Sequence, residues 1–342
     1  MNAGLLIRLR PTGPWRIGPD SGDPDRCDRI LHSDSLYSAV TSAMDRLGTR
    51  EEWLDSTARA AQPAVRLGSC FPFQGGTLFV APPRNLWPPP ASSRVRWKGA
   101  RFVPLPVVET LLSGQPIAED AWSIDGPSQC LVPSATPSAP GPFRVAVRSR
   151  AAVDRGGQGV APHSSACLEF TPGSGFWTAA SFSDDETRQA WTPPLTAAFR
   201  LLADSGIGGG RSRGWGRSEM PEIAAGGIDA LLLPSASAPA APRAFWMLSL
   251  FHPAASDEVD WQQGNYALTT RGGRVESPAG WGQGKRLTRM IAEGSVVVAA
   301  SEPRGAATDV APEDFPHPVY RAGFAFAIPI PLRAEIGRPP AA

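Results

Sequence analysis

The sequence predicts an α+β fold: a β-α-β-β-α-β frame with an enlarged middle, followed by a second unit that also starts with a strand. Three observations carry this. An apolar stretch near the amino end alternates with period two, two helical stripes flank a long strand-forming segment, and a glycine- and arginine-rich loop precedes the next strand.

Leu5, Ile7 and Leu9 share one side of the first stretch, and Leu6, Arg8 and Arg10 the other, as in a strand with one buried and one partly wet face. A loop over Gly18–Asp28 leads to ILHSDSLYSAVTSAMDRLG. There Leu36, Val40, Met44 and Leu47 form a helical stripe that Gly48 ends. Ser33 or Asp34 can cap that helix. Residues 63–142 are proline-rich, with a strand and a short helix expected in VRWKGARFVPLPVVETLLSGQ. Phe143–Arg150 alternates again, with Arg144, Arg148 and Arg150 on one face. Cys167–Phe170 and Phe176–Phe182 suggest a hairpin. This arginine face reads either as a solvated edge strand or as an arm that touches RNA.

The second helix is expected in TPPLTAAFRLLADSG. Thr192 stands as N-cap, Pro193 and Pro194 in the first turn, Leu195, Phe199 and Leu202 on one face, and Gly206 at the stop. The frame is ferredoxin-like over residues 1–225, with an insertion over about 50–182. Residues 226–243 form a small-residue and proline linker. A second unit, 244–338, begins with Ala244–Phe251 and has strands in NYALTTRGGRV, RLTRMIAEGSVVVAA and AGFAFAIPIPL. The first helix of that unit is not placed, since DEVDWQQG is too short.

Composition narrows the function classes. Hydrophobic residues make up 42% and charged residues 19% of 342 positions, which describes an ordered globular chain long enough for two domains. The net charge of +1 excludes a global basic field, so any nucleic acid must be held by a local patch. MNAGLLIRLRP is broken by Arg8 and Arg10. It is expected to be neither a signal peptide nor a membrane span, and no later run approaches the roughly 18 apolar residues a span needs. The dispersed Cys27, Cys70, Cys130 and Cys167 are expected to be reduced cysteines of a cytoplasmic protein, and with four scattered histidines they give metal binding no support.

Ser205–Arg217, SGIGGGRSRGWGR, holds the chemistry. Gly210–Gly214 fits G-x-S-x-G, but a nucleophile elbow needs a strand before the serine and a helix after it, the reverse of the order here. No G-x-G-x-x-G occurs, and Arg286 stands where a P-loop following Gly282–Lys285 needs Ser or Thr. Two readings remain. If the chain is extended from Arg211, then Arg211, Arg213, Trp215 and Arg217 share a face fit for phosphates and a stacked base. Otherwise it is a glycine-rich turn with solvated arginines and Trp215 as a core plug. On the first reading, removing Arg211 and Arg213 together flattens the salt dependence of RNA binding.

Four blocks in this order, ILHSDSLYSAV, GIGGGRSRGWGR, TTRGGRV with EGSVV, and HPVYRAGFAFAIPI, resemble the RAMP superfamily of CRISPR effector subunits. More narrowly they resemble the fourth subunit of the type III-A Csm complex. The resemblance spans nearly the whole chain, and residues 50–142 match poorly. It implies two tandem RRM-like ferredoxin folds, no catalysis, and no cofactor. It also implies a grip on the repeat-derived 5′ tag of crRNA, with docking to the large polymerase-like subunit and to a backbone RAMP subunit.

By that resemblance Gly208, Gly209, Gly210, Arg211, Ser212, Arg213 and Gly214 line the RNA path, with Trp215 and Arg217 beside them. Ser33, Asp34 and Ser35 sit near the tag, and Arg148, Arg150 and Arg155 belong to a thumb-like arm. Arg271, Gly272, Gly273, Arg274, His317, Tyr320 and Arg321 occupy the matching blocks of the second unit. Two rivals stand beside this. One is a metal-independent endoribonuclease of the same superfamily acting on CRISPR precursor RNA, using His32, Tyr37 or Ser35. The other is a scaffold whose arginines pair with acidic partner surfaces and whose Trp53, Trp87, Trp97 and Trp281 supply an exposed apolar patch.

Overall fold

A computed structural model describes residues 3–19, 22–89, 97–134, 140–153, 157, 159–234, 243–277 and 279–332. The first unit starts with β1 (Ala3–Leu9), α1 (Ser33–Leu47) and α2 (Arg50–Ser56). β2 (Val65–Leu67), β3 (Phe71–Gln74), β4 (Thr77–Val80) and β5 (Val103–Pro104) follow, then α3 (Leu105–Leu112). Next come β6 (Trp122–Asp125), β7 (Cys130–Pro133), β8 (Phe143–Val153), β9 (Val160–Phe170), β10 (Ser174–Phe182), α4 (Asp185–Ser205), β11 (Glu222–Gly227) and α5 (Ile228–Leu232). The sheet order is β11-β1-β10-β3-β4-β5, with β2 also on β10, and every pairing is antiparallel.

Strand β1 is more deeply placed than its alternation predicts. Leu6 is buried as well as Leu5, Ile7 and Leu9, because β1 has a sheet neighbour on each edge and helices α4 and α5 pack on it. Helix α1 buries Leu36, Val40 and Met44 and stops at Gly48 in the left-handed region (φ 78°), while Leu47 stays exposed. α4 starts at Asp185, capped by Asp184, whose carboxylate accepts from the Thr187 amide at 2.7 Å, and not at Thr192. Pro193 and Pro194 therefore lie inside the helix. Their missing amides leave the carbonyls of Gln189 and Ala190 without helical donors, and both residues are exposed, so water can serve instead.

Strand β9 pairs with β8 and not with β10, so the expected hairpin is shifted by one strand: β8–β9 form a two-stranded arm outside the main sheet. Residues 226–232 of the expected linker are the end of β11 and the whole of α5, with Ile228 packed under Gly4; residues 235–242 lie outside the described residues. Trp53 and Trp97 are fully buried, and Trp87 stacks on Trp97 at 5.5 Å, so these indoles are core and not an exposed patch.

The second unit contains β12 (Ala244–Met247), β13 (Val259–Asn265), β14 (Leu268–Arg271), β15 (Arg274–Ser277), β16 (Gly280–Gly284) and β17 (Thr288–Ile291). It ends with β18 (Val296–Ala299), β19 (Gly305–Asp309), β20 (Tyr320–Phe324) and β21 (Ala327–Ile330). Its sheet runs β13-β18-β12-β21, again antiparallel. Counted in chain order these strands take the same places as β3, β10, β1 and β11 in the first sheet. No helix occurs among the described residues of this unit; DEVDWQQG is mostly β13, and the β19–β20 hairpin fills the second crossover.

One core joins the two units. Trp246 and Leu248 belong to it with Leu5 and Ile7, while Phe245 and Met247, one residue out of phase, enter a separate cluster with Phe251 and Val297. α1 lies between the first sheet and β20, where Tyr37 meets Phe324 edge-on at 5.6 Å. No helix among the described residues is long and apolar enough to cross a membrane.

Candidate nucleic-acid interface

The glycine loop holds a fixed shape of its own. Gly206, Gly208, Gly210, Gly214 and Gly216 all have positive φ, so the backbone turns repeatedly, and Arg211–Arg213 form a single 3₁₀ turn. The extended ridge expected from Arg211 is thereby ruled out: alternation needs successive β-region residues, and left-handed glycines break it. The segment leaving β1 braces the loop from beneath. The Gly209 amide donates to Arg16 O (2.8 Å), Gly216 to Pro14 O (2.9 Å), and Ile207 to Gly216 O (3.0 Å). A side chain at Gly208 would strike the Arg16 carbonyl, and one at Gly216 the Ile207 backbone.

What the loop presents is selective. Arg211, Ser212, Arg213 and Arg217 are exposed; Trp215 is buried. Arg211 is held by Glu276 of β15 at 2.5 Å. Arg213 and Arg217 have no ion pair among the described residues, and the amides of Arg211 and Ser212 donate to nothing there. Trp215 is a plug and not a platform for a base. Gly210 lies against one part of its ring, and Arg150 from the arm sits 5.0 Å from its centroid. The three guanidinium nitrogens of Arg150 are shielded from solvent and have no hydrogen-bond partner among the described residues.

The other predicted residues fall into two further groups. Arg148, with Arg144, grips Glu169 on the neighbouring strand (2.6 and 2.9 Å), so its charge is spent within the arm; Arg155 lies outside the described residues. Ser33, Asp34, Arg271 and Arg321 are buried at the seam between units. Asp34 takes Arg271 on both oxygens (3.0 and 3.1 Å) and Arg321 on Oδ2 (2.5 Å), while Arg271 also reaches Ser35 Oγ. Two guanidiniums there consume one carboxylate, away from solvent.

The capping expectation is corrected. His32 is the N-cap residue and makes no side-chain cap, its ring being held by Glu293 and Asp28, while Ser33 Oγ accepts from the Leu250 amide at 3.0 Å. Around the third group, Arg274 donates to Gly282 O and His317 contacts Ser277 Oγ at 2.8 Å. Tyr320, half-buried in β20, lines the same cleft. Gly272 receives Arg321, and Gly273 (φ 123°) turns the chain between β14 and β15.

Sequence reasoning missed the network that locks His32. Its Nδ1 meets Glu293 Oε1 (2.7 Å), its Nε2 meets Asp28 Oδ2 (3.1 Å), and Ser69 Oγ donates to the same Glu293 oxygen. Ser69 gets there because β2 and β3 are interrupted at Gly68–Cys70, where the Ser69 amide turns to Leu248 O of the second unit. Only the histidine's position ahead of the helix hinted at any of this.

The two buried networks titrate in opposite directions. Burial alone would lower the His32 pKa, but the charge of Glu293 and the bonds from Asp28 and Glu293 outweigh it and raise it from 6.5 to about 9. Burial would raise that of Asp34, but Arg271 first and then Arg321 pull it from 3.8 to about 2. His32 therefore contributes stability that is complete below pH 6.5 and lost as pH rises through about 9. Asp34 contributes stability complete above pH 3.8 and lost as pH falls toward 2. Unfolding midpoints in urea should be highest between these limits, and His32→Gln should remove the alkaline limb; an alkaline limb unchanged in His32→Gln refutes the assignment.

With the geometry in place, the chain can be set beside known proteins. Residues 242–330 match the CRISPR Csm4 C-terminal domain. The second unit is thus similar to the C-terminal domain of Csm4. A chain of the Csm1-Csm4 cassette in complex with cA4 is 19% identical, with TM-score 0.58, covering 96% of this chain and 98% of that one. A chain of the Csm3-Csm4 subcomplex in the type III-A CRISPR-Cas interference complex is 15% identical, with TM-score 0.65, covering 97% and 100%. At such identities the likeness is one of fold. Comparison with curated proteins finds no match. The Csm4 C-terminal match spans β12–β21 and so includes Arg271, Arg321 and Glu293, the second unit's share of the seam.

Proposed function

We propose that this chain is a non-catalytic subunit of a cytoplasmic type III-A Csm-type CRISPR complex. It grips the 5′ repeat-derived tag of crRNA and anchors the large polymerase-like subunit to a backbone RAMP subunit. The carrying observation is the braced glycine loop, which leaves Arg213, Arg217 and two free amides at the surface. Single-stranded RNA is held in this way, by phosphate contacts from arginine and bare backbone.

The solved Csm1-Csm4 and Csm3-Csm4 assemblies support these partners, and we read the two like-ordered sheets as tandem ferredoxin-like folds, the second with its helices replaced by hairpins. Against the nuclease alternative, His32 is clamped between two carboxylates and the Tyr37 hydroxyl is held by Thr57 in the core. Neither group is free to move a proton on a substrate. Photocrosslinking the guide RNA within a reconstituted Csm complex should label Ser205–Arg217. Labelling confined to partner subunits, or a defined fragment cut from precursor RNA by the purified chain in chelator, would overturn it.

A further inference from the structure

A cleft of about 380 Å³ opens between the outer flank of α1 and α2 and strands β15 and β20. Most of its charges are neutralised locally. Arg50 pairs with Asp45 and Glu51, Arg59 with Glu51 and Asp55, and Glu276 with Arg211. Lys285 differs: it is half-buried, lines the cleft, and no ion pair or side-chain hydrogen bond reaches its ammonium among the described residues.

The charges that act on Lys285 are Arg321, Asp34, Glu276 and Arg271. Asp34 is already shared by the two arginines, and Glu276 is engaged by Arg211. The floor of the cleft thus carries surplus positive charge, and burying an ammonium without an anion is unfavourable. Elsewhere the lining mixes apolar side chains such as Leu54 and Val275 with polar and aromatic ones: Ser38 and Ser42 on the α1 side, His317 and Tyr320 opposite. The volume lies at the small end of ligand pockets, about 300–1,000 Å³, room for one nucleotide and not for a helix. Glu276, which ties down Arg211 of the glycine loop, is among the lining residues, so the cleft adjoins the loop.

We propose that this cleft receives one unstacked nucleotide of the RNA strand held by the glycine loop, with Lys285 on its phosphate and Tyr320 and His317 beside the base. The inference rests on the RNA-binding reading above. Its probes are ribonucleoside 5′-monophosphates and a single-stranded oligoribonucleotide, titrated calorimetrically into the full chain. Monophosphate affinity should fall at least tenfold in Lys285→Met, persist in Lys285→Arg, and be untouched in Arg213→Ala/Arg217→Ala. Lys285→Met should also raise the melting temperature by about 2 °C, because a half-buried charge with no ion pair among the described residues is removed; its loss of binding is then not unfolding. Monophosphates that ignore Lys285→Met, or that fail to bind the wild type, sink the inference, and RNA binding lost only in the loop variant then leaves the loop reading standing. Monophosphate binding that needs Lys285, with loop variants binding RNA like wild type, keeps the cleft as a nucleotide site and removes the loop.

Discussion

Asp34→Ala is expected to destabilise the chain by about 3–5 kcal/mol, because removing one partner strands the others as uncompensated buried charges. Here the stranded groups are Arg271 and Arg321, whose side chains are 6% and 5% exposed. Both come from the second unit, while Asp34 heads α1 of the first, so the loss should loosen the seam. Urea unfolding followed by tryptophan fluorescence would show a lower midpoint. Replacing all three by Leu, Met and Met should recover most of the stability, since well-packed apolar residues often match a buried ionic triad. That variant also separates structure from recognition: if it folds and still binds RNA, the triad is a fastening. A midpoint unchanged by Asp34→Ala would refute the account of the seam.

Arg213→Ala/Arg217→Ala is expected to weaken RNA binding by tenfold or more at physiological salt and to flatten the log–log salt slope by about 1.4, at roughly 0.7 for each phosphate no longer neutralised. This pair takes the place of Arg211 with Arg213, which the sequence alone suggests, because Glu276 already occupies Arg211. Arg211→Ala should therefore have the smaller effect on the slope. Both substituted residues are exposed and have no ion pair among the described residues, so stability should stay within about 0.5 kcal/mol and the loss can be read as recognition. An unchanged slope in a stable double variant would remove the loop from the RNA path.

Much of the fold is legible in the sequence because it is written at short range. The period-two run of Leu5–Leu9 and the stripe Leu36–Val40–Met44 are β1 and α1, and Gly48 takes the left-handed stop. The start of α4 is not legible in the same way. Pro193–Pro194 reads as a first turn, whereas the cap at Asp184 and exposed carbonyls let the prolines sit within the helix. The loop reads correctly as a bare bend, yet its arginines do not share the one face that alternation assigns them. Trp215 shows why: two flanking glycines turn it inward, beneath a residue from the arm.

By itself, then, the sequence determined the strands, the first helix, the glycine bend and the block order that resembles Csm4, all properties of residues a few positions apart. Only the tertiary structure decided which charges face solvent. Asp34 meets Arg271 and Arg321 across separations of 237 and 287 residues, and His32 meets Glu293 across 261. A charged side chain is a surface contact or a buried clasp according to what the rest of the chain folds against it, and no local pattern carries that information.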